Sequence, residues 1–238
     1  MIEQCGAAAI ATSSAALAWA HGYADGHHLP ARVVLDAIAE ITRVVGVPVS
    51  ADVEGGYADD PARVAELVAE VASAGAAGVN LEDGTGPVEL LCAKLDAVKQ
   101  RAARAGLDVF VNARIDVYLR GLVAGERALP ETLERIARVR AAGCDGVFVP
   151  RLPVDAVPAV VEACGPLPLN LLAVPELPAA AALRERGVRR LSAGSALGAA
   201  ALGNLRDLAR GFLADGASDP LWQRVVDYGE MNRLLAAR

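Results

Sequence analysis

Aromatic residues are scarce: Phe 3, Trp 2 and Tyr 4 in 238 positions, 4% of the chain. So few rings give no stacking platform for single-stranded nucleic acid. Lys and Arg total 23 against 29 Asp and Glu, so no basic stripe exists to hold phosphates, and nucleic acid is not an expected partner. The four cysteines, Cys5, Cys92, Cys144 and Cys164, lie far apart and form no Cys-x-x-Cys pair. That excludes the common zinc and redox motifs and points to buried thiols in a reducing cytosol. No charged-then-apolar leader opens the chain, and no run of about 18 residues is free of charge and turn residues, so neither a signal segment nor a membrane span is read. The three histidines, His21, His27 and His28, share one loop and are read as surface or supporting positions.

Ala, Val and Leu dominate instead, within 54% hydrophobic residues. This suits parallel strands buried on both faces under closely packed helices. Residues 1–6 read as the tail of a helix. Strands are expected at 7–12, 47–52, 78–82, 107–113, 146–150, 167–172 and 188–193. Residues 12–30 read as a loop. Helices are expected at 31–45, 61–75, 88–105, 130–142, 154–163, 178–186, 196–214 and 220–236, several ended by glycine. Strand-helix alternation implies a parallel sheet with right-handed crossovers. Seven strands fall one short of a closed α/β barrel. The reading is a TIM-type (β/α)8 barrel that lacks its first strand, in one domain over 1–238 with a helical C-terminal segment from about 215. It predicts a gap between the first and last strands, or another segment filling it.

In such a barrel the chemistry sits at the C-terminal ends of the strands. Those ends carry Thr12-Ser13-Ser14, Asp52-Val53-Glu54, Glu82-Asp83, Asn112 to Asp116, Pro150-Arg151, Asn170 and Ser192 to Ser195. Asp52 and Glu54 point the same way on a strand and repel unless a cation joins them. Magnesium takes oxygen ligands and keeps waters, so Asp52, with Glu54 and Glu82 acting directly or through water, is the candidate metal set. Zinc is disfavoured because no His or Cys falls at these ends. Arg114 could grip a carboxylate or phosphonate with its planar fork, or pair with Asp116 and stiffen the barrel mouth. The hydroxyls of Thr12, Ser13 and Ser14 could bind a carboxylate or simply cap a turn.

These segments, with Gly22-Tyr23-Ala24-Asp25, Val49 to Tyr57, Ala74 to Asp83, Asn112 to Asp116 and Val188 to Gly194, resemble the isocitrate lyase/phosphoenolpyruvate mutase superfamily over nearly the whole chain. The resemblance implies a barrel, homotetramer or dimer assembly with a C-terminal helix exchanged between subunits, Mg²⁺, and a 2-oxo acid passing through an enolate. By residue it implies metal ligation by Asp52, with Glu54 and Glu82 through water. It implies substrate binding by Arg114, Thr12, Ser13, Ser14 and Asn170, and an active-site role for Asp25. The Lys-x-Cys-Gly-His motif of true lyases is replaced by Gly84-Thr85-Gly86-Pro87, and the longer gating loop of the mutases is also absent. The favoured expectation is a Mg²⁺-dependent lyase on a small 2-oxo dicarboxylate, an oxaloacetate decarboxylase or another carbon–carbon lyase. A phosphoenolpyruvate or carboxyphosphonoenolpyruvate phosphonomutase, or a phosphonopyruvate hydrolase, is the second expectation. A pseudoenzyme that only binds a 2-oxo acid is the third.

Overall fold

The computed structural model describes residues 1–236; Ala237 and Arg238, the end of the expected C-terminal segment, lie outside them. Seven strands pair in parallel and in chain order: β1 (Ile10–Ala11), β2 (Val49–Asp52), β3 (Gly78–Glu82), β4 (Phe110–Arg114), β5 (Gly146–Phe148), β6 (Leu169–Leu172) and β7 (Val188–Ser192). Sequential order follows from short right-handed crossovers, each strand laid beside the one before. The helices are α1 (Ser14–Ala20), α2 (Ala31–Val44), α3 (Pro61–Ser73), α4 (Val88–Ala105), α5 (Val117–Arg120), α6 (Ala128–Ala141), α7 (Val157–Cys164), α8 (Ala180–Glu185), α9 (Ala196–Asp215) and α10 (Tyr228–Ala236).

The sheet is curled. Arg190 on β7 donates across the concave face to Ser50 Oγ on β2 at 3.4 Å. On the outside, a Cβ at Gly198 of α9 would lie 2.9 Å from the Ala16 Cβ of α1. Among the described residues β1 and β7 are not hydrogen-bonded to each other, so the ring is open at that seam. The result is an α/β half-barrel of seven parallel strands.

Local chemistry sets the elements. Asp60 accepts from Ala62 N at 3.0 Å and Pro61 opens α3, a cap and a pre-set φ at the first helical position. Gly106 closes α4 at φ +64°. The core lies between sheet and helices. Leu81, Leu91, Leu95, Ile115, Ile136 and Leu169 are at most 1% exposed, each stabilising by about 1.5–3 kcal/mol.

Five points differ from the sequence expectations. Ser14–Ala20 is a helix rather than part of a loop: Ser13 caps it by accepting from Ala16 N, and its alanines are strong helix formers. Val117–Arg120 is a single helical turn that no periodicity could reveal in four residues. The expected helix over 220–236 is broken into a 3₁₀ turn, Asp219–Trp222, and α10, and residues 1–6 hold only a 3₁₀ turn, Glu3–Cys5. Cys144 and Cys164 are buried, but Cys5 is exposed and Cys92 half-buried; all four are free thiols. No described helix is long and apolar enough to cross a membrane.

No residue of α9 is buried. Leu197, Leu202, Leu205, Leu208, Phe212 and Leu213 all face outward, an apolar stripe beyond what a monomer surface normally shows.

Candidate active site

The acidic strand ends meet as the topology requires. Asp52 ends β2, Glu82 ends β3 and Arg114 ends β4, with Glu82 and Arg114 in register. All are buried or nearly so, although two of the three are acids. Asp52 Oδ2 accepts from Ser14 N at 3.3 Å and its Oδ1 from Glu54 N at 3.4 Å, both long bonds that leave lone pairs free. Glu82 Oε2 lies 2.5 Å from Arg114 Nη1 outside hydrogen-bond geometry, and no other donor reaches it.

Arg114 is held on two sides. Its Nε and Nη2 donate to the two oxygens of Asp116 at 2.7 and 3.0 Å while Nη1 faces Glu82. Burial alone would lower this guanidinium; Glu82, Asp116 and Asp52 outweigh it and keep it firmly protonated. Burial pushes Glu82 up to about 8, against the pull of Arg114, with Asp116 and Asp52 adding to the rise. Arg120, half-exposed on α5, stands 3.7 Å from Glu82 Oε1 and 3.4 Å from Asp116 Oδ2. Asp83 faces away from this cluster: it accepts from Asp116 N at 2.9 Å and from Arg135 at 2.7 Å, fixing the β4–α5 turn.

Glu54 has a different occupation. Its Oε2 accepts from His27 N at 2.6 Å and its Oε1 from the Tyr57 hydroxyl at 3.1 Å. His27 Nε2 in turn accepts from Gly55 N at 3.0 Å. The loop between α1 and α2 is thus pinned to the β2 turn, and Asp25 comes close enough to Tyr57 to help raise its phenol, after burial and Glu54. Asp25 itself is exposed. His27, Glu54 and Tyr57 all have φ between +51° and +64°, a region costly for residues with a side chain. Lys94 of α4, 4% exposed, holds the turn from behind by donating to Gly55 O at 2.7 Å.

Among the other expected substrate contacts, Thr12 Oγ1 accepts from Asp52 N at 2.9 Å and Ser13 caps α1. Ser14 gives Asp52 its backbone N–H. Asn170 on β6 accepts from the Ser192 hydroxyl at 3.1 Å, while its Nδ2 is buried without a partner.

These residues fit Mg²⁺. The donor set is oxygen only, Asp52 has spare lone pairs, and Glu82 Oε2 accepts no hydrogen bond, with only the Arg114 cation beside it. Among the described residues no three His, Cys, Asp or Glu converge to ligate an ion unaided. Waters would complete the shell between Asp52 and the two glutamates.

A family model described as phosphoenolpyruvate phosphomutase matches residues 1–213. The chain belongs to that family. It is 36% identical over 234 residues to an uncharacterized protein of Mycobacterium tuberculosis H37Rv, covering 97% of this chain and 84% of that one. A crystal structure from Burkholderia cenocepacia J2315, provisionally assigned as a phosphonomutase, is 39% identical with a TM-score of 0.82, over 88% of this chain and 87% of that one. Phosphonopyruvate hydrolase, solved with oxalate and Mg²⁺, is 25% identical with a TM-score of 0.84, over 99% and 85%. The phosphoenolpyruvate mutase/isocitrate lyase superfamily resemblance seen in the sequence is thereby confirmed, and this superfamily holds mutases, lyases and hydrolases.

Sequence reasoning gave no role to Tyr57, Lys94, Arg120 or Arg190, and read His27 as a surface or supporting position, which its bonds to Glu54 and Gly55 fit. His27 lies two residues after Asp25, and Tyr57 ends the quoted β2 segment, so both stood beside recognised positions. Lys94, in an apolar helix with one free face, carried no such signal.

Proposed function

We propose that the protein is a Mg²⁺-dependent lyase acting on a small 2-oxo dicarboxylate, oxaloacetate in the simplest case, as one domain over residues 1–238. The observation that carries this is the pair of buried acids at the ends of adjacent strands, Asp52 with only long hydrogen bonds and Glu82 with an oxygen that Arg114 alone approaches. Bound Mg²⁺ supplies Lewis-acid charge where negative charge develops on the 2-oxo oxygen. Asp52 would hold the ion directly, and Glu82 and Glu54 would hold it through waters. Arg114, fixed by Asp116, presents a rigid cation to a substrate carboxylate, and Thr12 aligns Asp52 through its backbone N–H. Ser13 and Ser14 shape the loop that faces that carboxylate, and Asp25, on the pinned loop, is the base that a retro-aldol cleavage would need, whereas decarboxylation leaves an enolate that gains its proton from water. Decarboxylation of a 3-carboxylate asks for no separate acid, which suits a site lacking the lyase cysteine motif.

The second reading, carbon–phosphorus mutase or hydrolase chemistry, is favoured by the family description and by phosphonopyruvate hydrolase as a neighbour. We further propose a cytoplasmic homo-oligomer, since the outward stripe of α9 needs a cover.

The test is pyruvate release from oxaloacetate, 2-methylisocitrate, isocitrate and phosphonopyruvate, with and without Mg²⁺, in wild type and Asp52→Ala. Metal-dependent release lost in the variant supports the proposal and names the substrate. Folded protein that releases pyruvate from none of them refutes it and leaves a 2-oxo-acid-binding protein without turnover.

A further inference from the structure

Arg114 and Arg120 face the same two acids, Glu82 and Asp116, but they are held very differently. The Arg114 side chain is 11% exposed, and its Nε and Nη2 donate to the two Asp116 oxygens at 2.7 and 3.0 Å. The Arg120 side chain is 44% exposed. Among the described residues it donates one hydrogen bond, from Nε to Asp116 Oδ2 at 3.4 Å, and its Nη2 stands 3.7 Å from Glu82 Oε1, beyond hydrogen-bond reach. Asp116 is fully buried and already neutralised by the Arg114 fork, so a second, looser cation adds little to it. Half-exposed ion pairs of this length are worth little, because water screens them and a long side chain loses freedom. Arg135 is the contrast within this fold: 12% exposed, it donates to Asp83 and Glu131 at 2.7 Å and to Gly86 O at 3.3 Å. Arg120 lies one helical turn after Asp116, which brings it back over the end of β4 and beside Glu82 at the end of β3. Gly121 closes that single turn at φ +62°, and a Cβ there would meet nothing within 4 Å, so the rim is open on this side.

A guanidinium fork with most of its N–H groups unspent, on the open rim of the mouth, suits an anion arriving from solvent. We propose that Arg120 is a specificity-determining residue that turns from Asp116 to the second anionic group of the substrate and so selects dianionic over monoanionic 2-oxo acids. Asp116 keeps Arg114 when Arg120 leaves it, so the exchange strands no buried charge. Arg114 itself cannot make that move, because both oxygens of Asp116 and the facing Glu82 hold its fork in place. The inference rests on the reading of this mouth as a 2-oxo-acid site, but the selectivity can be measured apart from turnover.

Two probes differ only at the far end: 3-sulfopyruvate, whose sulfonate cannot leave as CO2, and pyruvate, which has no second anion. Each is titrated calorimetrically into the Mg²⁺-loaded protein. In Arg120→Gln, sulfopyruvate affinity falls about tenfold or more, the loss of a charge-assisted bond, while affinities for pyruvate and for Mg²⁺ change by less than about threefold. Arg120→Lys keeps the charge without the fork and recovers part of the loss. An arginine that only braced Glu82 and Asp116 would weaken Mg²⁺ and both ligands together. Equal losses for both ligands, unchanged sulfopyruvate binding, or a wild type that binds sulfopyruvate no more tightly than pyruvate overturns the inference. Selective sulfopyruvate loss in a protein that turns over no 2-oxo acid keeps the role of Arg120 and removes the lyase. Turnover with sulfopyruvate binding indifferent to Arg120 does the reverse.

Discussion

Mg²⁺ affinity should depend steeply on pH, because Glu82 sits in the fold with its carboxyl pushed up to about 8. The largest cause is burial, with Asp116 and Asp52 adding to it against Arg114. The proton must leave before the carboxylate can orient a metal-bound water. With the carboxyl near 8 most sites carry the proton at pH 7, so apparent affinity is on the order of tenfold below its plateau at high pH and falls further as pH drops. Mg²⁺ binding at pH 7 therefore releases protons, readable by calorimetry in buffers of different ionisation enthalpy. The same shift acts on stability. A carboxyl raised above its unfolded value of 4.5 favours the fold most below pH 4.5, and that contribution is lost as pH rises through about 8. Metal-free protein should lose stability over that window and Mg²⁺ should restore it. Glu82→Gln should bind Mg²⁺ weakly and without pH dependence between 6 and 9. Wild-type affinity that is flat over that range, with no proton released, would refute the reasoning.

Gly56→Ala should destabilise by about 2–4 kcal/mol in urea unfolding, since φ is +88° and the new Cβ would meet Val64 Cγ1 at 2.5 Å. Tyr57→Phe removes the hydroxyl that serves Glu54, and should lower stability by about 1–2 kcal/mol while quickening proteolysis of the loop over 21–29; an unchanged cleavage rate would separate Tyr57 from that loop. Light scattering should show an oligomer, and Leu205→Glu with Leu213→Glu should dissociate it; a wild-type monomer would leave the α9 stripe without its proposed cover.

All seven strands were legible, because each is a short apolar run closed by a glycine-ended helix before it. Their N-terminal bounds were read early, at 107 rather than 110 on β4 and at 167 rather than 169 on β6. Apolar loop residues such as Leu107, packed against the core, mimic strand in sequence. The acids at Asp52 and Glu82 were legible from strand-end position alone. That Glu54 would bond to His27 was not, since it depends on a loop returning across 27 residues. Nor could periodicity show that Arg190 reaches Ser50, 140 residues away, because that contact exists only once the sheet curls.

The three left-handed residues at the mouth, His27, Glu54 and Tyr57, have a consequence for how such proteins change over time. Each costs on the order of 1–3 kcal/mol, which the bonds of Glu54 to His27 N and the Tyr57 hydroxyl, and of Gly55 N to His27, offset. Glycine at any of them would relieve the strain but give up side-chain contacts, and would slacken the grip of the β2 turn on the loop that carries Asp25. A lineage kept for turnover should hold these side chains together, since strain and bonds balance only as a set. One that drifts toward mere persistence should lose them first.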